Sequence, residues 1–274
     1  MILERIYNLA LPRLAGKKIK EVRVGLGLMA VELDSGPIGV TYVLRSEVGH
    51  GCGVLPQAGN LIGTPAGEIA GWALQGKNVI TVAMGLAVLN SVAEFDKLEM
   101  EHEPHDPDAA FSTEIRPEDT VAIIGHIGPL IFNLINKVQR LLIFERGEDV
   151  GGGVYPESAQ PELLPECQVI FISSTSIING TLENLLKYCT KARDVVMVGS
   201  STPIYPEAFS GTGVTVLSGT RWFPENREAI LTGISQCVGM RQLIKYGQKI
   251  SVRVENQDFG SNTTNIKRLR GVIK

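Results

Sequence analysis

Chemistry-bearing residues in this chain gather where apolar runs give way to glycine, hydroxyl and amide side chains. The run 121–124 ends in Gly125-His126-Ile127-Gly128, and the run 141–144 ends on Glu145. A third run, 168–172, leads into Ser173-Ser-Thr-Ser-Ile-Ile-Asn-Gly-Thr181, and a fourth, 194–198, into Gly199-Ser-Ser-Thr-Pro203. A glycine turn between a strand and a helix points backbone N–H groups outward at a helix N-terminus, where an anion is favoured. An acidic residue closing the next strand is where Rossmann-like folds hold a ribose or a similar hydroxylated group. The candidate ligand contacts are Gly125, His126 and Gly128 in the first loop and Glu145 at the second strand end. Ser174, Thr175, Asn179 and Thr181 follow in the third loop, and Ser201 and Pro203 in the fourth.

Each signal has a plainer reading. Gly125-His-Ile-Gly128 is shorter than the dinucleotide fingerprint G-x-G-x-x-G. His126 is equally well a surface imidazole. Asn179 or Thr181 serves as a helix cap as readily as a ligand contact. Convergence argues for a site, because the carboxyl ends of parallel strands share one sheet edge.

The elements that must position these residues read as follows. Residues 120–149 form a β-α-β unit, with Pro129 in the first helical turn and Leu130, Ile131, Leu134, Ile135 and Val138 at helical spacing. A helix over 180–188, a strand over 213–217 and a helix over 223–238 continue the alternation, which predicts a parallel, doubly wound sheet. The first part of the chain reads as α+β. An amphipathic helix covers 2–14, and short strands cover 19–26, 28–33 and 39–44. A glycine-rich loop starts at Gly49, a helix opens at Thr64-Pro65, and a helix over 78–95 is apolar through Val92. So apolar a helix is buried on most sides, and it carries Asn90, a further candidate contact. The predicted organisation is an α+β unit over 1–95, an acidic linker over 96–119, an α/β unit over 120–250 and a basic tail of unknown role over 251–274.

Composition narrows the function classes. The chain has 274 residues, 44% hydrophobic and 20% charged, with net charge −3. No basic excess points to nucleic acid or an anionic membrane. No apolar run reaches 18 residues, and the first 20 residues lack a signal-peptide pattern. A cytoplasmic location is expected. Cys52, Cys167, Cys189 and Cys237 form no C-x-x-C pair. Neither G-x-S-x-G nor the phosphate-binding G-x-x-x-x-G-K-[ST] occurs.

Two stretches hold metal-ligand types. Glu101-His-Glu-Pro-His-Asp106 is charge-rich and proline-broken, and reads as a solvated linker. His50 and Cys52 flank Gly51 and can give a soft or borderline metal two ligands, although a stable site needs more.

The ordered set Ala87-Val-Leu-Asn90, VAIIGHIGPL, IFER with Glu145, SSTSIINGTLENLL and VGSSTPIYPEAF resembles an uncharacterised prokaryotic family labelled "putative heavy-metal chelation domain". The resemblance extends to about residue 250. It implies an α/β protein: an enolase-N-terminal-like α+β domain packed on a Rossmann-like parallel-sheet domain, with a small-ligand site in the interdomain cleft. It also implies a methyltransferase likeness in the second domain. It brings no enolase chemistry, because the barrel that carries that chemistry is missing.

Two functions of different class follow. One is a protein that binds or processes a heavy metal or a metal-chelating small molecule. The other is a methyltransferase-like or related enzyme using a nucleotide-type or pterin-like ligand at the sheet edge. The expected partner is a small molecule or metal complex, with a divalent heavy metal or a nucleotide-type ligand as the cofactor, and a homodimer is compatible with both.

Overall fold

The computed structural model describes residues 1–49, 53–101, 113–146 and 153–255. Helix α1 (Ile2–Leu14) buries Ile2, Ile6, Ala10 and Leu14, one stripe at a four-residue spacing. Strands β1 (Ile19–Val24), β2 (Leu28–Leu33) and β3 (Ile38–Tyr42) form an antiparallel meander. Helices α2 (Ala66–Gln75) and α3 (Val79–Ser91) follow, and α3 begins at Asn78. The Asn78 side chain accepts from the Ile80 and Thr81 N–H groups in a capping box.

All six residues of β2 are buried. A strand with no solvent face needs cover on both sides. Met29, Val31 and Leu33 join the cluster that contains α3. Leu28 and Ala30 face Ile230, Leu231 and Ile234, from a helix 200 residues further along the chain. Close approach on the α3 side depends on Gly39, where a Cβ would lie 1.8 Å from the Ala87 carbonyl oxygen.

Helix α4 (Phe95–Glu101) leads out of this unit. The larger unit comprises β4 (Thr120–Ile124), α5 (Gly128–Leu134), β5 (Arg140–Glu145), β6 (Val154–Pro156), α6 (Gln160–Leu163) and β7 (Val169–Ser173). It continues with α7 (Thr175–Ile178), α8 (Leu182–Leu186), β8 (Asp194–Val198), α9 (Pro206–Phe209), β9 (Val216–Trp222), α10 (Arg227–Ser235), α11 (Met240–Leu243) and β10 (Gly247–Arg253). The seven strands run in the order β10-β9-β8-β7-β4-β5-β6, parallel except for β10 at the edge. The chain goes from β4 outward to β5 and β6, then crosses to β7 on the other side of β4. The switch point lies between β4 and β7.

The fold is thus α/β, with a small antiparallel sheet and a large, mostly parallel one. The described parts of 1–95 and 120–250 share one apolar cluster, which contains Ile6, Leu86 and Leu89 as well as Ala122, Ile170 and Met197. Differences from expectation cluster at element ends. The predicted strand 213–217 is displaced to Val216–Trp222. Ser218 and Gly219 have weak strand propensity, but β8 and β10 hydrogen-bond this strand from both sides and override it. The predicted helix 223–238 opens as a 3₁₀ turn and is α-helical only over Arg227–Ser235. The predicted linker holds α4 at its start, and at its end Asp119 is buried and paired with Arg193 at 2.8 Å. Residues 102–112 and 256–274 lie outside the described residues, and the predicted tail contributes Ser251–Arg253 to β10.

An ion cluster joins the two sheets' territories. Glu32 on β2 is 1% exposed. Arg227 of α10 donates to both its oxygens at 2.9 Å, and Lys20 donates at 2.8 Å. Burial raises the Glu32 pKa, but the hydrogen bonds and charges of Arg227 and Lys20 outweigh it and hold the carboxyl below its ordinary value. A carboxyl depressed in this way adds stability above its unfolded pKa and loses it as pH falls through the folded value. Arg227→Met is expected to lower the urea midpoint at pH 7, with the deficit shrinking as pH drops below the ordinary carboxylate range. Urea titrations across pH check this, and a deficit constant with pH would refute it.

Candidate functional site

The carboxyl ends of β4, β5, β7 and β8 and the middle of β9 open into a cavity of about 610 Å³. Gly125 and His126 line it after β4, Glu145 after β5, Ser173 and Thr175 at β7, Gly199 and Ser200 after β8, and Ser218 to Thr220 within β9. Met240, Arg241 and Ile244 from the α11 region and Lys249 from β10 form the far wall. Tyr42, at the end of β3, is the lining residue from the first unit.

Two glycines let the strand ends come together. Gly125 has φ +97°, and a Cβ on it would lie 3.1 Å from the Ser173 Cβ across the switch point. Gly199 has φ +129°, and a Cβ on it would lie 2.6 Å from the Ser174 hydroxyl. Left-handed backbone and lack of space both require glycine at these positions.

The β4–α5 turn supplies its own anion. The Glu145 carboxylate accepts from the His126 N–H at 2.6 Å and from the Arg146 N–H at 2.9 Å. The N–H of His126, one of those expected to face a bound anion, is thus taken by the protein. Helix α5 has seven residues, and Pro129 removes one of its first N–H groups.

The other sequence candidates divide into three groups. Gly128 lines the main cavity, and Thr175 lines it together with a side pocket. Asn179 and Thr181 line that side pocket, of about 60 Å³, whose wall shares Gly125, Glu145, Ser173 and Thr175 with the main cavity. The Asn179 side-chain oxygen accepts from the Thr181 hydroxyl at 2.8 Å. Asn90, Ser174, Ser201 and Pro203 are not among the lining residues. Ser174 is packed behind Gly199, and Pro203 is buried. Ser201 is a clamp: its hydroxyl accepts from the Tyr42 N–H at 2.8 Å, and its carbonyl accepts from the Asn90 amide at 3.1 Å. Tyr205 adds a second tie, donating to the Leu89 carbonyl at 2.5 Å, and burial pushes its phenol pKa up so that it stays a donor.

The cavity also takes residues that the sequence reading missed. Ser218-Gly219-Thr220, inside β9, has the glycine and hydroxyl composition of the strand-end loops, and that signal was available. Tyr42, Arg241 and Lys249 arrive through tertiary packing and carry no local mark. Burial raises the Tyr42 pKa, so its phenol stays protonated over the neutral range. Arg241 is exposed and has no ion-pair or hydrogen-bond partner among the described residues.

The described donors fit a metal poorly. No group of three His, Cys, Asp or Glu stands close enough to hold an ion among the described residues. Within the cavity, His126 and Glu145 are the donors of that kind. Cys167 and Cys189 are buried elsewhere, and burial pushes each thiol up to about 12, away from the thiolate a metal requires. His50 and Cys52 lie outside the described residues.

Comparison with known proteins gives consistent matches. The family model DUF364, described as "Putative heavy-metal chelation", matches residues 108–253. A second model with the same description, DUF4213, matches residues 7–93. A DUF364 protein of unknown function from Pyrococcus horikoshii aligns at TM-score 0.75 and 26% identity, covering 93% of this chain and 100% of that one. One from Desulfitobacterium hafniense aligns at 0.72 and 23%, covering 91% and 98%. An uncharacterised protein of Methanocaldococcus jannaschii is 28% identical over 148 residues, so the match spans 53% of this chain and 56% of that relative.

The tight β7–β8 approach predicts unequal costs at two left-handed glycines. Gly211 has φ +73° and open space around its Cβ position. Gly211→Ala is expected to cost only the backbone term, about 1 kcal/mol. Gly199→Ala adds the Ser174 clash and is expected to cost roughly 2 kcal/mol more. Urea unfolding of both variants checks this, and equal costs would refute the packing account.

Proposed function

From the premise that the chain belongs to the DUF364 family, described as "Putative heavy-metal chelation", we propose that it binds a small anionic metal chelator, or the metal complex of one, in the switch-point cavity. The carrying observation is Arg241, exposed on the cavity wall with no partner among the described residues. Lys249 lines the same wall and has an interaction of its own. The Arg241 charge suits carboxylates, and guanidinium grips them with two parallel hydrogen bonds.

The poor metal fit of the described donors supports the same reading. In this account the metal's ligands come from the bound molecule, and the protein recognises that molecule's shape and charge. Tyr42, Ser200, Ser218 and Thr220 are the hydroxyl-bearing part of the lining, with the Ser218 hydroxyl bonded to that of Ser251, while Ile127, Pro129, Leu130, Met240 and Ile244 supply apolar walls. A mostly apolar pocket with a few placed polar groups is the usual form of a small-molecule site.

A second reading is favoured by one observation. Glu145 ends β5, the neighbour of β4 at the switch point, where a nucleotide-type ligand's ribose is held in related architectures. Against it stands the β4–α5 turn, whose anion-facing N–H group already meets Glu145.

Thermal shift separates the alternatives. Nitrilotriacetate and its zinc complex are each expected to raise Tm by roughly 5 °C at a hundredfold excess over Kd. Zinc alone is expected to leave Tm unchanged, and Arg241→Ala to abolish both shifts. A shift with zinc alone that survives Arg241→Ala would refute this reading in favour of ligation by the chain's own side chains.

A further inference from the structure

The side pocket next to the main cavity has chemistry of its own. It has room for a group of a few heavy atoms. Three charged residues line it. Arg146 pairs with Glu157 at 2.9 Å, so those two charges offset each other. Glu145 has no cationic partner among the described residues and is held by two backbone N–H groups. A carboxylate has about four acceptor positions, so two remain for a ligand. Ser176 also lines the pocket. It is 4% exposed, and its buried hydroxyl has no hydrogen-bond partner. Buried polar groups are normally satisfied, so an orphaned hydroxyl beside a carboxylate marks a place where something polar belongs.

The two ends of the site therefore differ in sign. Arg241 stands on the far wall of the main cavity, and Glu145, which has no cationic partner among the described residues, stands where the cavity meets the side pocket. A ligand with carboxylates at both ends would meet repulsion in the side pocket. A ligand with a protonated nitrogen there would gain a charge-assisted hydrogen bond to Glu145, stronger than one between neutral groups. We propose that the ligand, in its metal-free form, is an aminocarboxylate, with its carboxylate facing Arg241 and a protonated amine at its other end in the side pocket against Glu145 and Ser176. This rests on the chelator reading above and narrows it from anionic chelators in general to those that carry an amine.

Three straight-chain acids with one carboxylate end in common test the proposal. Glutarate, 4-hydroxybutyrate and 4-aminobutyrate differ at the other end, which is a second carboxylate, a hydroxyl or a protonated amine. Binding is measured by calorimetry on the full chain. 4-Aminobutyrate is expected to bind about tenfold tighter than 4-hydroxybutyrate, the worth of one hydrogen bond to a charged group, and glutarate is expected to bind weakest. Glu145→Gln is expected to bring the ratio of 4-aminobutyrate to 4-hydroxybutyrate close to one and to strengthen glutarate, because the like charge is gone. Ser176→Val is expected to fill the pocket and reduce the ratio with Tm unchanged or raised, because it removes an unsatisfied buried hydroxyl. Equal binding of 4-hydroxybutyrate and 4-aminobutyrate by the wild type would overturn the aminocarboxylate assignment. So would tighter binding of glutarate than of 4-aminobutyrate, or a preference that survives both substitutions. Acids that all fail to bind, or that bind equally to Arg241→Ala, would instead overturn the chelator reading itself.

Discussion

Helix α3 has no face that can meet water, and that constraint organises the protein. All but Val79 and Val82 of its 13 residues are buried. One three-stranded sheet and one neighbouring helix cannot surround a helix that is apolar all round. Strands β2 and β3 take one side and α2 another, with Gly39 and Gly85 removing the side chains that would hold them apart. The last turn is left for the larger unit to cover. Tyr205 reaches the Leu89 carbonyl, and the Asn90 amide reaches Ser201. Burial of one helix thereby welds the loop after β8 to the first unit.

The cavity follows from that weld. Ser201 holds the Tyr42 backbone, which sets a phenol from the first unit beside the strand ends of the second. Gly199 and Gly125 then let β8, β7 and β4 close to contact at the switch point. The residues that hold the two units together are separate from those that line the cavity. Asn90, Ser201 and Tyr205 are structural ties. Glu145, Arg241, Lys249, Ser173, Ser218 and Thr220 line the cavity. Helix α10 contributes from the opposite side, where it covers the small sheet and fixes Glu32, so neither sheet is complete without the other unit.

Periodicity made the central elements readable. The β-rich runs before Gly125 and Gly199 are strands buried on both faces, the run that closes on Glu145 is a strand with one buried and one half-buried face, and the apolar helix is there over Val79–Ser91. The convergence of strand ends was legible because parallel topology forces it. Other features were set by distance in the chain. Arg241 and Lys249 reach the cavity only because α11 and β10 fold back beside β9. The roles of Asn90 and Ser201 depend on each other across 111 residues, so composition alone reads both as ligand contacts. The Glu145 carboxylate was placed at the correct strand end, but nothing local marks that its first partner is the turn's own N–H at His126. Strand β9 was misjudged for a related reason, since its Ser-Gly-Thr stretch is extended only because both neighbours hold it.

The account's central claim is that the protein recognises a chelator and leaves the metal to it. A crystal of the full chain grown with zinc nitrilotriacetate, with anomalous scattering collected at the zinc edge, tests this directly. The account predicts one zinc peak inside the switch-point cavity, ligated by nitrilotriacetate atoms, with a carboxylate of that ligand on the Arg241 guanidinium. A zinc peak ligated by the chain's own side chains, at His126 and Glu145 or at His50 and Cys52, would contradict it.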